Sequence, residues 1–471
     1  MIQDWLGAVA QSIAVLVISA GLAQNAIQLV QLVLAGRALS EGRQEDEEAL
    51  VWRRYADASP PVAVLAPAFN EEAGIVDSVR SLLSLHYPNF EVVIINDGST
   101  DGTLARLIES FELKPVSRQY AQTLSHQSVH QIYAAENQPR LVVIDKVNGG
   151  KADALNVGIN VSRAPLFCSM DADSMLEPDA LLRAVRPFVE NPEETIAVGG
   201  TVRIANGCRI ANGQVQTLSL PRNLWALFQT VEYLRAFLMA RLAWSRINAL
   251  TIISGAFGLF RRDLVVEVGG YARGTVGEDM ELVVRLHRRM REQGRRYRIA
   301  FVPEPVCWTE APETLAGLCR QRARWQRGTL ETFALHRSMT FDPKYGRLGS
   351  VAFPHLILVD IAGPPIELLG YALIPLFWAT GLLSIEWLLA FLAVSFTFGI
   401  ALSLGALALE EAELRRFPKV RHLIILTLAA VAENFGYRQL CNVWRLQGLV
   451  QFIRRDRTWG SQARRGLARA S

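Results

Sequence analysis

Residues 140–173 read RLVVIDKVNGGKADALNVGINVSRAPLFCSMDAD, and this stretch contains two short apolar runs separated by a helical pattern. The apolar runs are residues 140–145 (RLVVID) and 165–170 (PLFCSM); the first ends at an aspartate and the second is followed by one, as is typical of strand ends. Residues 151–162 between them predict a helix. A strand, a helix and a second strand in succession form the basic unit of a parallel sheet with helical crossovers.

The same alternation occurs nearer the N-terminus. Residues 61–67 (PVAVLAP) and 90–96 (FEVVIIN) predict strands on either side of a helical stretch at 71–85. Strands that alternate with helices predict an α/β domain with a doubly wound, mostly parallel sheet. Ligands of such sheets bind beyond the carboxyl ends of the strands. Residues that directly follow the apolar runs are therefore the first candidates for a functional site.

The composition excludes several classes of protein. Half of the 471 residues are hydrophobic and one fifth are charged, which excludes an intrinsically disordered chain. The 49 basic and 45 acidic residues give a net charge of +4, too small for a molecule that binds nucleic acid with its whole surface. The cysteines form no CxxC pair, which argues against a disulfide framework or a zinc site and predicts a reducing compartment. They are Cys168, Cys208, Cys307, Cys319 and Cys441.

The apolar residues are concentrated at both ends of the chain. Residues 5–36 carry no charge and exceed the ~20 apolar residues that cross a bilayer. A cleaved signal peptide would have a basic start and a shorter apolar run, so we expect a retained transmembrane anchor over residues 1–37. By the positive-inside rule, the arginines after the run place the N-terminus outside and the next segment in the cytoplasm. These arginines are Arg37, Arg43, Arg53 and Arg54.

Apolar stretches return in the C-terminal part of the chain. Residues 351–383, 387–409 and 423–432 predict three later spans within a C-terminal transmembrane region at 346–452. One plus three spans would put the basic tail at 453–471 outside, whereas the positive-inside rule favours the cytoplasm. Either the first of these stretches forms a hairpin or interfacial piece, or the last does not cross. The arginines of the tail are Arg454, Arg455, Arg457, Arg464 and Arg465.

Between the membrane segments, residues 38–345 form the predicted cytosolic domain. Its stretches at 221–250 and 314–338 mix aromatic and apolar residues with arginines. Basic helices with an aromatic, apolar face lie in the headgroup plane of a bilayer, so we expect both stretches to contact the membrane. Ordinary amphipathic surface helices would show the same composition.

Two carboxylates follow the predicted strand at 165–170. Asp171 and Asp173, separated by one residue, could hold a hard divalent cation through oxygen ligands and leave positions open for phosphate oxygens. Without a counter-ion, carboxylates this close would repel each other and raise each other's pKa. An ordinary acidic turn would have the same sequence, so the pair needs support from other motifs.

Other candidates follow the neighbouring strands. Asp97, directly after the run at 90–96, could accept hydrogen bonds from a nucleobase or ribose, although the residues after it fit an ordinary turn and helix cap. Residues 148–151 (NGGK) open a predicted helix. Backbone N–H groups at a helix N-terminus suit a diphosphate, and Lys151 adds a positive charge.

Two motifs lie further along the chain. Gly277, Glu278 and Asp279 precede a helical run. Gln321, Arg324 and Trp325 occupy positions i, i+3 and i+4, and so share one face of a helix. An indole beside an amide suits a sugar ring, and a guanidinium suits a diphosphate. Membrane anchoring would also explain arginines and a tryptophan at this position.

In this order, and with the flanking apolar segments, the motifs resemble those of the processive family 2 glycosyltransferases of membranes, such as cellulose, hyaluronan, chitooligosaccharide and poly-N-acetylglucosamine synthases. The resemblance covers residues 61–328. One departure is Gly277, which stands where many members have threonine. The motifs are residues 67–71 (PAFNE), 96–98 (NDG), 149–156 (GGKADALN), 171–173 (DAD), 277–279 (GED) and 321–325 (QRARW).

The resemblance implies a cytosolic domain of the GT-A fold, which is Rossmann-like, that uses a UDP-sugar together with Mg²⁺ or Mn²⁺. It implies that Asp173 binds the metal and that Asp279, with Glu278 beside it, is the general base. It also places Ser254 and Gly255 in an acceptor-binding loop. The larger implied sets are Pro67, Phe69, Glu71, Asp97, Lys151 and Asp171 around the nucleotide, and Gln321, Arg324 and Trp325 for the diphosphate and the growing chain.

The resemblance leads us to expect a multi-pass enzyme of the inner (cytoplasmic) membrane. It would transfer sugar from UDP-N-acetylglucosamine or UDP-glucose to a growing β-linked polysaccharide and export the polymer through its own membrane segments. A single base and direct displacement predict inversion at the anomeric carbon. The expected partners are the donor, the polysaccharide acceptor, the lipid bilayer and accessory export or regulatory subunits, and no nucleic acid. Transfer of one sugar to a lipid acceptor and a catalytically inactive membrane scaffold are the alternatives.

Overall fold

The computed structural model describes residues 2–45, 59–211, 214–413 and 419–455. The predictions that concern Arg53, Arg54 and most of the basic tail fall outside these residues. The described chain divides into two compact units, called here the sheet unit and the helical unit. The sheet unit takes its residues from Leu39–Arg222 and Trp244–Ala311, and the helical unit from Met1–Ala38, Asn223–Ala243 and Pro312–Gln462.

All described strands belong to the sheet unit. They are β1 (Val62–Ala68), β2 (Phe90–Asp97), β3 (Lys114–Val116), β4 (Val129–Ala134), β5 (Leu141–Lys146), β6 (Leu166–Ser169), β7 (Met175–Leu176), β8 (Thr195–Ile204), β9 (Arg209–Ala211), β10 (Gln214–Thr217), β11 (Gly258–Arg261) and β12 (Arg298–Thr309). Ten of them form one sheet in the order β3-β4-β5-β2-β1-β6-β11-β8-β12-β7, and β9 and β10 form a second sheet.

Parallel pairing forms the centre of the ten-stranded sheet. β1 pairs in parallel with β2 and with β6, and β2 pairs in parallel with β5. These strands are apolar along nearly their whole length because they are buried on both faces. Antiparallel pairing adds β4 on one side of this centre and β11 on the other, and β8 and β12 are again parallel to each other. The predicted α/β class with a largely parallel sheet is confirmed.

The α-helices alternate with the central strands and then dominate the C-terminal part of the chain. They are α1 (Ile2–Glu45), α2 (Ile75–Leu83), α3 (Thr103–Phe111), α4 (Lys151–Val161), α5 (Ala180–Glu190), α6 (Leu224–Tyr233), α7 (Leu242–Arg246), α8 (Arg262–Glu267), α9 (Glu278–Glu292), α10 (Leu315–His336), α11 (Phe353–His355), α12 (Gly363–Ala379), α13 (Ile385–Leu392), α14 (Phe398–Glu413), α15 (Val420–Ala432) and α16 (Tyr437–Ile453). Turns of π-helix occur at Leu234–Arg241, Leu348–Ala352, Leu356–Ile361 and Ala393–Thr397, and short 3-10 turns at Arg337–Met339 and Pro343–Tyr345.

Three described helical segments are long and apolar enough to cross a bilayer: Gln3–Glu41, Leu348–Ala379 and Ile385–Ala412. They coincide with the predicted anchor and with the first two of the three later stretches. The third stretch is α15, whose 13 residues give about 20 Å of helix, short of the ~30 Å of hydrocarbon. Two of the three later stretches thus have spanning length among the described residues, and the crossing of the third stays a prediction. The helix stops because residues 433–436 form a turn that ends at Gly436, with a φ of 100°.

The two stretches predicted to lie at a membrane surface are helical. The first contains α6, the π-helix Leu234–Arg241 and α7, and the second contains α10. The Thr314 side chain begins α10 by accepting a hydrogen bond from the backbone N–H of Gly317, which satisfies one of the unpaired donors of the first turn. Contact of these helices with a membrane stays a prediction.

Candidate active site

The carboxyl ends of the central strands lie at one edge of the sheet. β1, β2, β5 and β6 are parallel neighbours, so the residues that follow them share that edge. The register pairs Asp97 at the end of β2 with Lys146 at the end of β5. Asp171 and Asp173 follow β6 in a turn closed by a hydrogen bond from Ser174 N–H to the Asp171 carbonyl. This edge collects most of the site residues predicted from the sequence.

Asp97 holds the glycine-rich turn that precedes α4. Its carboxylate is almost completely buried and accepts hydrogen bonds from the Lys146 ammonium at 2.5 Å and from the backbone N–H groups of Gly149 and Gly150 at 3.0 and 2.8 Å. Gly150 has a φ of 85°, a conformation that favours glycine. The described contacts of this carboxylate are thus internal, and its predicted role around uridine stays a prediction.

Lys146 is a buried charged residue beside the site that sequence reasoning missed. Its side chain is fully buried and its ammonium also lies 2.9 Å from Asp153 in the first turn of α4. Burial alone would raise the pKa of Asp153, but hydrogen bonds from Lys146 and from the Gln127 N–H outweigh it and lower the pKa. The sequence places an aspartate at the end of one strand and a lysine at the end of another. Only the register of the two strands shows that these residues are neighbours.

Lys151, the first residue of α4, lies at the centre of a second charge cluster. Its ammonium is 2.5 Å from Asp171, 3.1 Å from the Gly255 carbonyl and 3.9 Å from Glu278. Burial would lower the pKa of Lys151, but the neighbouring carboxylates, Asp171 first, raise it. Lys151 therefore carries its charge at neutral pH and joins the turn after β6 to the N-terminus of α9.

Gly255 connects Lys151 to the predicted general base. Its backbone N–H donates to the Asp279 carboxylate at 3.0 Å, while its carbonyl accepts from Lys151. A Cβ at this position would lie 2.6 Å from the lysine nitrogen, so only glycine fits without a shift of that side chain. Ser254 forms the turn before it, with its carbonyl accepting from Phe257 N–H at 3.0 Å. Two predicted sets, the base and the acceptor loop, are thus in contact.

Glu278 is the most perturbed acid of this cluster. Burial raises its pKa, the positive charge of Lys151 lowers it, and the charge of Asp279 raises it again, with a result of about 7. A carboxyl group with a pKa near neutrality, beside a lysine and a second carboxylate, is typical of sites that move protons. It sits at the N-terminus of α9, where the helix dipole favours negative charge.

The N-terminal motif follows β1 at the same edge. Pro67 is half-buried near the end of the strand, and the Phe69 ring is exposed. Asn70 has a φ of 58°, and the next residue, Glu71, donates its backbone N–H to the Thr103 hydroxyl at 2.9 Å. The turn thus presents an exposed aromatic ring, which suits stacking against a base.

The acidic turn after β6 was predicted to hold a divalent cation, and this role stays a prediction. The described residues contain no group of three His, Cys, Asp or Glu side chains arranged to hold a metal by themselves. Asp171 and Asp173 supply carboxylate oxygens, the donors that hard cations prefer. A cation held here would take its remaining ligands from phosphate oxygens and water, which is common for Mg²⁺ sites.

The remaining predicted residues lie on α10 in the helical unit. Gln321 is buried, and Trp325 is 43% exposed. The guanidinium of Arg322 lies 4.4 Å from the Trp325 ring centre and pairs with Glu232 at 2.7 Å. Arg324 is half-buried on the same helix. The roles of Gln321, Arg324 and Trp325 toward a diphosphate or a sugar chain stay predictions.

Comparison with known families and proteins gives a consistent result. The family model described as "Glycosyltransferase like family 2" matches residues 60–328, more than half of the chain. A poly-beta-1,6-N-acetyl-D-glucosamine synthase of Staphylococcus epidermidis is 31% identical over 267 residues, which cover 57% of this chain and 54% of that protein. A synthase with the same description from Staphylococcus aureus (strain COL) is 30% identical over 298 residues, 63% of this chain and 61% of that protein. The chain thus spans little more than half the length of these relatives.

A solved structure shows the same fold. The chain is similar to a mannosyltransferase of Pyrobaculum calidifontis in complex with GDP-Man and Mn²⁺, with a TM-score of 0.53 and 18% sequence identity. The similarity covers 93% of this chain and 99% of that one. At this level of identity the likeness concerns the fold alone.

Proposed function

The chain belongs to the glycosyltransferase-like family 2, and from this premise we propose that it transfers a sugar from a UDP-sugar to a growing β-linked polysaccharide with inversion at the anomeric carbon. The single observation that carries the proposal is the contact between Gly255, Lys151 and Asp279. It joins the acidic turn after β6, the acceptor loop and the predicted base within one cluster.

The proposed chemistry assigns one task to each group. Asp279 accepts the proton of the acceptor hydroxyl, whose oxygen attacks the anomeric carbon while the bond to the diphosphate breaks. The Lys151 charge favours an anionic diphosphate at the N-terminus of α4. Asp173 would hold Mg²⁺ or Mn²⁺, which when bound supplies Lewis-acid stabilisation of the leaving UDP, and Asp171 would lie beside the nucleotide. Because attack and departure occur on opposite faces, an α-linked donor gives a β-linked product.

The relatives suggest the donor and the setting. Both curated relatives are described as poly-beta-1,6-N-acetyl-D-glucosamine synthases, which favours UDP-N-acetylglucosamine over UDP-glucose for this chain. The three apolar helices of spanning length support a multi-pass membrane protein. We place it in the inner membrane with the sheet unit in the cytoplasm, where UDP-sugars are made, and we propose processive synthesis coupled to export with accessory subunits.

The test uses membranes that contain the full chain. They are incubated with labelled UDP-N-acetylglucosamine or UDP-glucose, with and without Mn²⁺ or Mg²⁺, and the product is analysed by size and by NMR of its linkages. We expect one donor to give a metal-dependent β-linked polymer. Products of one sugar on a lipid would favour the non-processive alternative, and α-linkages would contradict the inversion.

Asp279→Asn tests the proposed base directly. Asparagine keeps an oxygen that can accept from Gly255 N–H but cannot take a proton, so transfer should fall by about 100-fold or more while UDP binding stays near the wild-type level. Asp263→Asn is the matched control, because Asp263 is an exposed carboxylate that pairs with Arg261. Equal loss of transfer and UDP binding in Asp279→Asn would assign Asp279 a structural role.

A further inference from the structure

Helix α4 carries a buried polar face that the proposed chemistry does not use. Asp153, Asn156 and Asn160 are at most 3% exposed. Their spacing of i, i+3 and i+7 places them on one side of the helix. Polar groups buried in this way need hydrogen-bond partners, since each unpaired group costs free energy. Apart from Lys146 of β5, which pairs with Asp153, their partners lie in two loops, and this face holds those loops in place.

Asn156 binds the first of these loops through both of its amide atoms. Its Nδ2 donates to the Tyr271 carbonyl at 3.0 Å, and its Oδ1 accepts from the Tyr271 N–H at 2.8 Å. The neighbouring Gly270 has a φ of 73°, and a Cβ there would lie 2.4 Å from the Asn156 oxygen. The backbone at residues 270–271 is thus fixed directly against α4.

Asp153 binds the same loop through Arg273. The Arg273 guanidinium donates to the Asp153 carboxylate at 3.1 Å and to the Ser125 hydroxyl at 2.8 Å. Asp153 also accepts from the Gln127 N–H, and Asn160 accepts from the Leu124 N–H at 3.0 Å. Arg273 therefore joins α4 to the loop at 123–127 and to its own segment.

The segment held in this way leads directly into the proposed base. Residues 270–277, called here the strap, end at Glu278 and Asp279, the first two residues of α9. Lys151 lies at the start of α4, two positions before Asp153. Lys151 and Asp279 are thus connected in two ways. One connection runs through Gly255, and the other runs along α4 and the strap.

We propose that Arg273 is a positioning residue. Its ion pair with Asp153 of α4, called here the clasp, fixes the strap to this helix and so sets the place of Asp279 relative to Lys151. The inference rests on the proposed function, because the effect of this contact on Asp279 is measured as a change in the rate of sugar transfer. Arg273 does not contact the cluster itself in the described structure. It acts through the backbone of the strap, and a shift of ~1 Å in a reacting group can reduce a rate by about 100-fold.

Arg273 is the better residue to substitute, because its side chain is 42% exposed while Asp153 is fully buried. Arg273→Met removes the clasp and keeps most of the apolar stem, and Asp153 retains Lys146 and Gln127 as partners. Arg273→Lys keeps the charge but offers one nitrogen in place of the two guanidinium nitrogens that contact Asp153 and Ser125 separately. Arg261→Met is the matched control, since Arg261 pairs with Asp263 on the same unit.

The experiment measures hydrogen exchange of the strap and the kinetics of donor transfer in the full chain. In Arg273→Met we expect faster exchange at residues 271–277, a fall in kcat of about tenfold and a donor KM within about twofold of wild type. Arg273→Lys should recover part of kcat, and Arg261→Met should match wild type in both readouts.

Two results would overturn the inference. One is unchanged exchange of the strap in Arg273→Met, and the other is a rise in donor KM with kcat unchanged, which would make Arg273 a donor-binding group. The exchange measurement needs no substrate. Suppose that the strap exchanges faster in Arg273→Met and that the wild-type protein transfers no sugar from a UDP-sugar. These two results together would support the clasp and refute the proposed function.

Discussion

The two lysines at either end of the turn before α4 lie in clusters of different character. Lys146 is fully buried between Asp97 and Asp153, whose side chains are 4% and 0% exposed. Lys151 is 17% exposed, and its partner Asp171 is 33% exposed. Two buried carboxylates surround the first lysine, and further hydrogen bonds satisfy them. Around the second, three carboxylates meet one ammonium, and part of the cluster is open to solvent.

The difference separates a scaffold from a reactive site. A buried charge pair is tolerated when its partners and hydrogen bonds are complete, and it then fixes geometry. In the Lys151 cluster, burial first and then the charges of Asp279 and Asp171 raise the pKa of Glu278, against the lowering effect of Lys151. Three carboxylates around one ammonium leave an excess of negative charge, which favours the arrival of a cation. The cluster around Lys146, called here the closed cluster, holds the turn before α4. The cluster around Lys151, called here the open cluster, lies at the other end of this turn.

Breaking the closed cluster should have the largest effect on folding. Lys146→Met leaves Asp97 and Asp153 buried without their shared cation, and removal of one partner from a buried pair costs about 3–5 kcal/mol. We expect the free energy of unfolding, measured by denaturant titration in detergent, to fall by that amount.

Lys114→Met is the matched control for this variant. Lys114 pairs with Glu136 at 2.9 Å, but both side chains are exposed, and exposed pairs contribute little to stability. The control should unfold at the wild-type denaturant concentration. If Lys146→Met does so too, the contrast between the two clusters is lost.

The open cluster can be examined through pH. The pKa of Glu278 is raised from 4.5 to about 7, first by burial. The folded protein therefore binds this proton more tightly than the unfolded chain. The stability that it contributes is complete below pH 4.5 and is lost as the pH rises toward about 7. Between these values the melting temperature of the wild type should fall more steeply than that of Glu278→Gln.

Glu267→Gln provides the opposite case for the pH measurement. Hydrogen bonds from Arg289 and Gln293 lower the pKa of Glu267, so its contribution is lost as the pH falls rather than as it rises. This variant should keep the wild-type slope above pH 4.5. A wild-type slope in Glu278→Gln as well would mean that another group titrates in this interval.

Gly255→Ala should have the smallest effect. The added Cβ would lie 2.6 Å from the Lys151 nitrogen and 3.5 Å from the Asp279 oxygen. Because it meets the flexible end of a lysine, we expect the melting temperature to stay near wild type. Loss of one hydrogen bond of about 1 kcal/mol should lower kcat/KM about fivefold. Gly274→Ala, with no atom within 4 Å of the added Cβ, is the control.

The sequence predicted the central strands well because their patterns are local. β2 begins at Phe90 as expected and ends at Asp97, one residue later than expected, and β6 (Leu166–Ser169) lies within its predicted run. A helix was expected over 71–85, but α2 begins at Ile75. Residues 71–74 form a turn instead, held in part by the bond from Glu71 N–H to Thr103. That partner lies 32 positions away, beyond the reach of a local pattern.

The site was predicted in part. The motifs identified Lys151, Asp171 and Asp279, which the structure links through Gly255. They did not identify Lys146, because a lysine at the end of an apolar run has no distinctive pattern of its own. The antiparallel insertion of β11 and the π-helical turns were also not predicted, since both depend on packing against distant parts of the chain.

Helix α4 is buried from Ala152 to Val161, and this has a consequence for biosynthesis. Asn156 finds its partner 115 positions later in the chain. At ~5–20 residues per second, a ribosome needs roughly 6 to 23 s to add that length. During this interval Asn156 lacks its partner, whereas Asp153 and Asn160 already have partners in Lys146, Gln127 and Leu124. A domain that waits for so distant a contact is exposed to misassociation for longer than one held by local contacts.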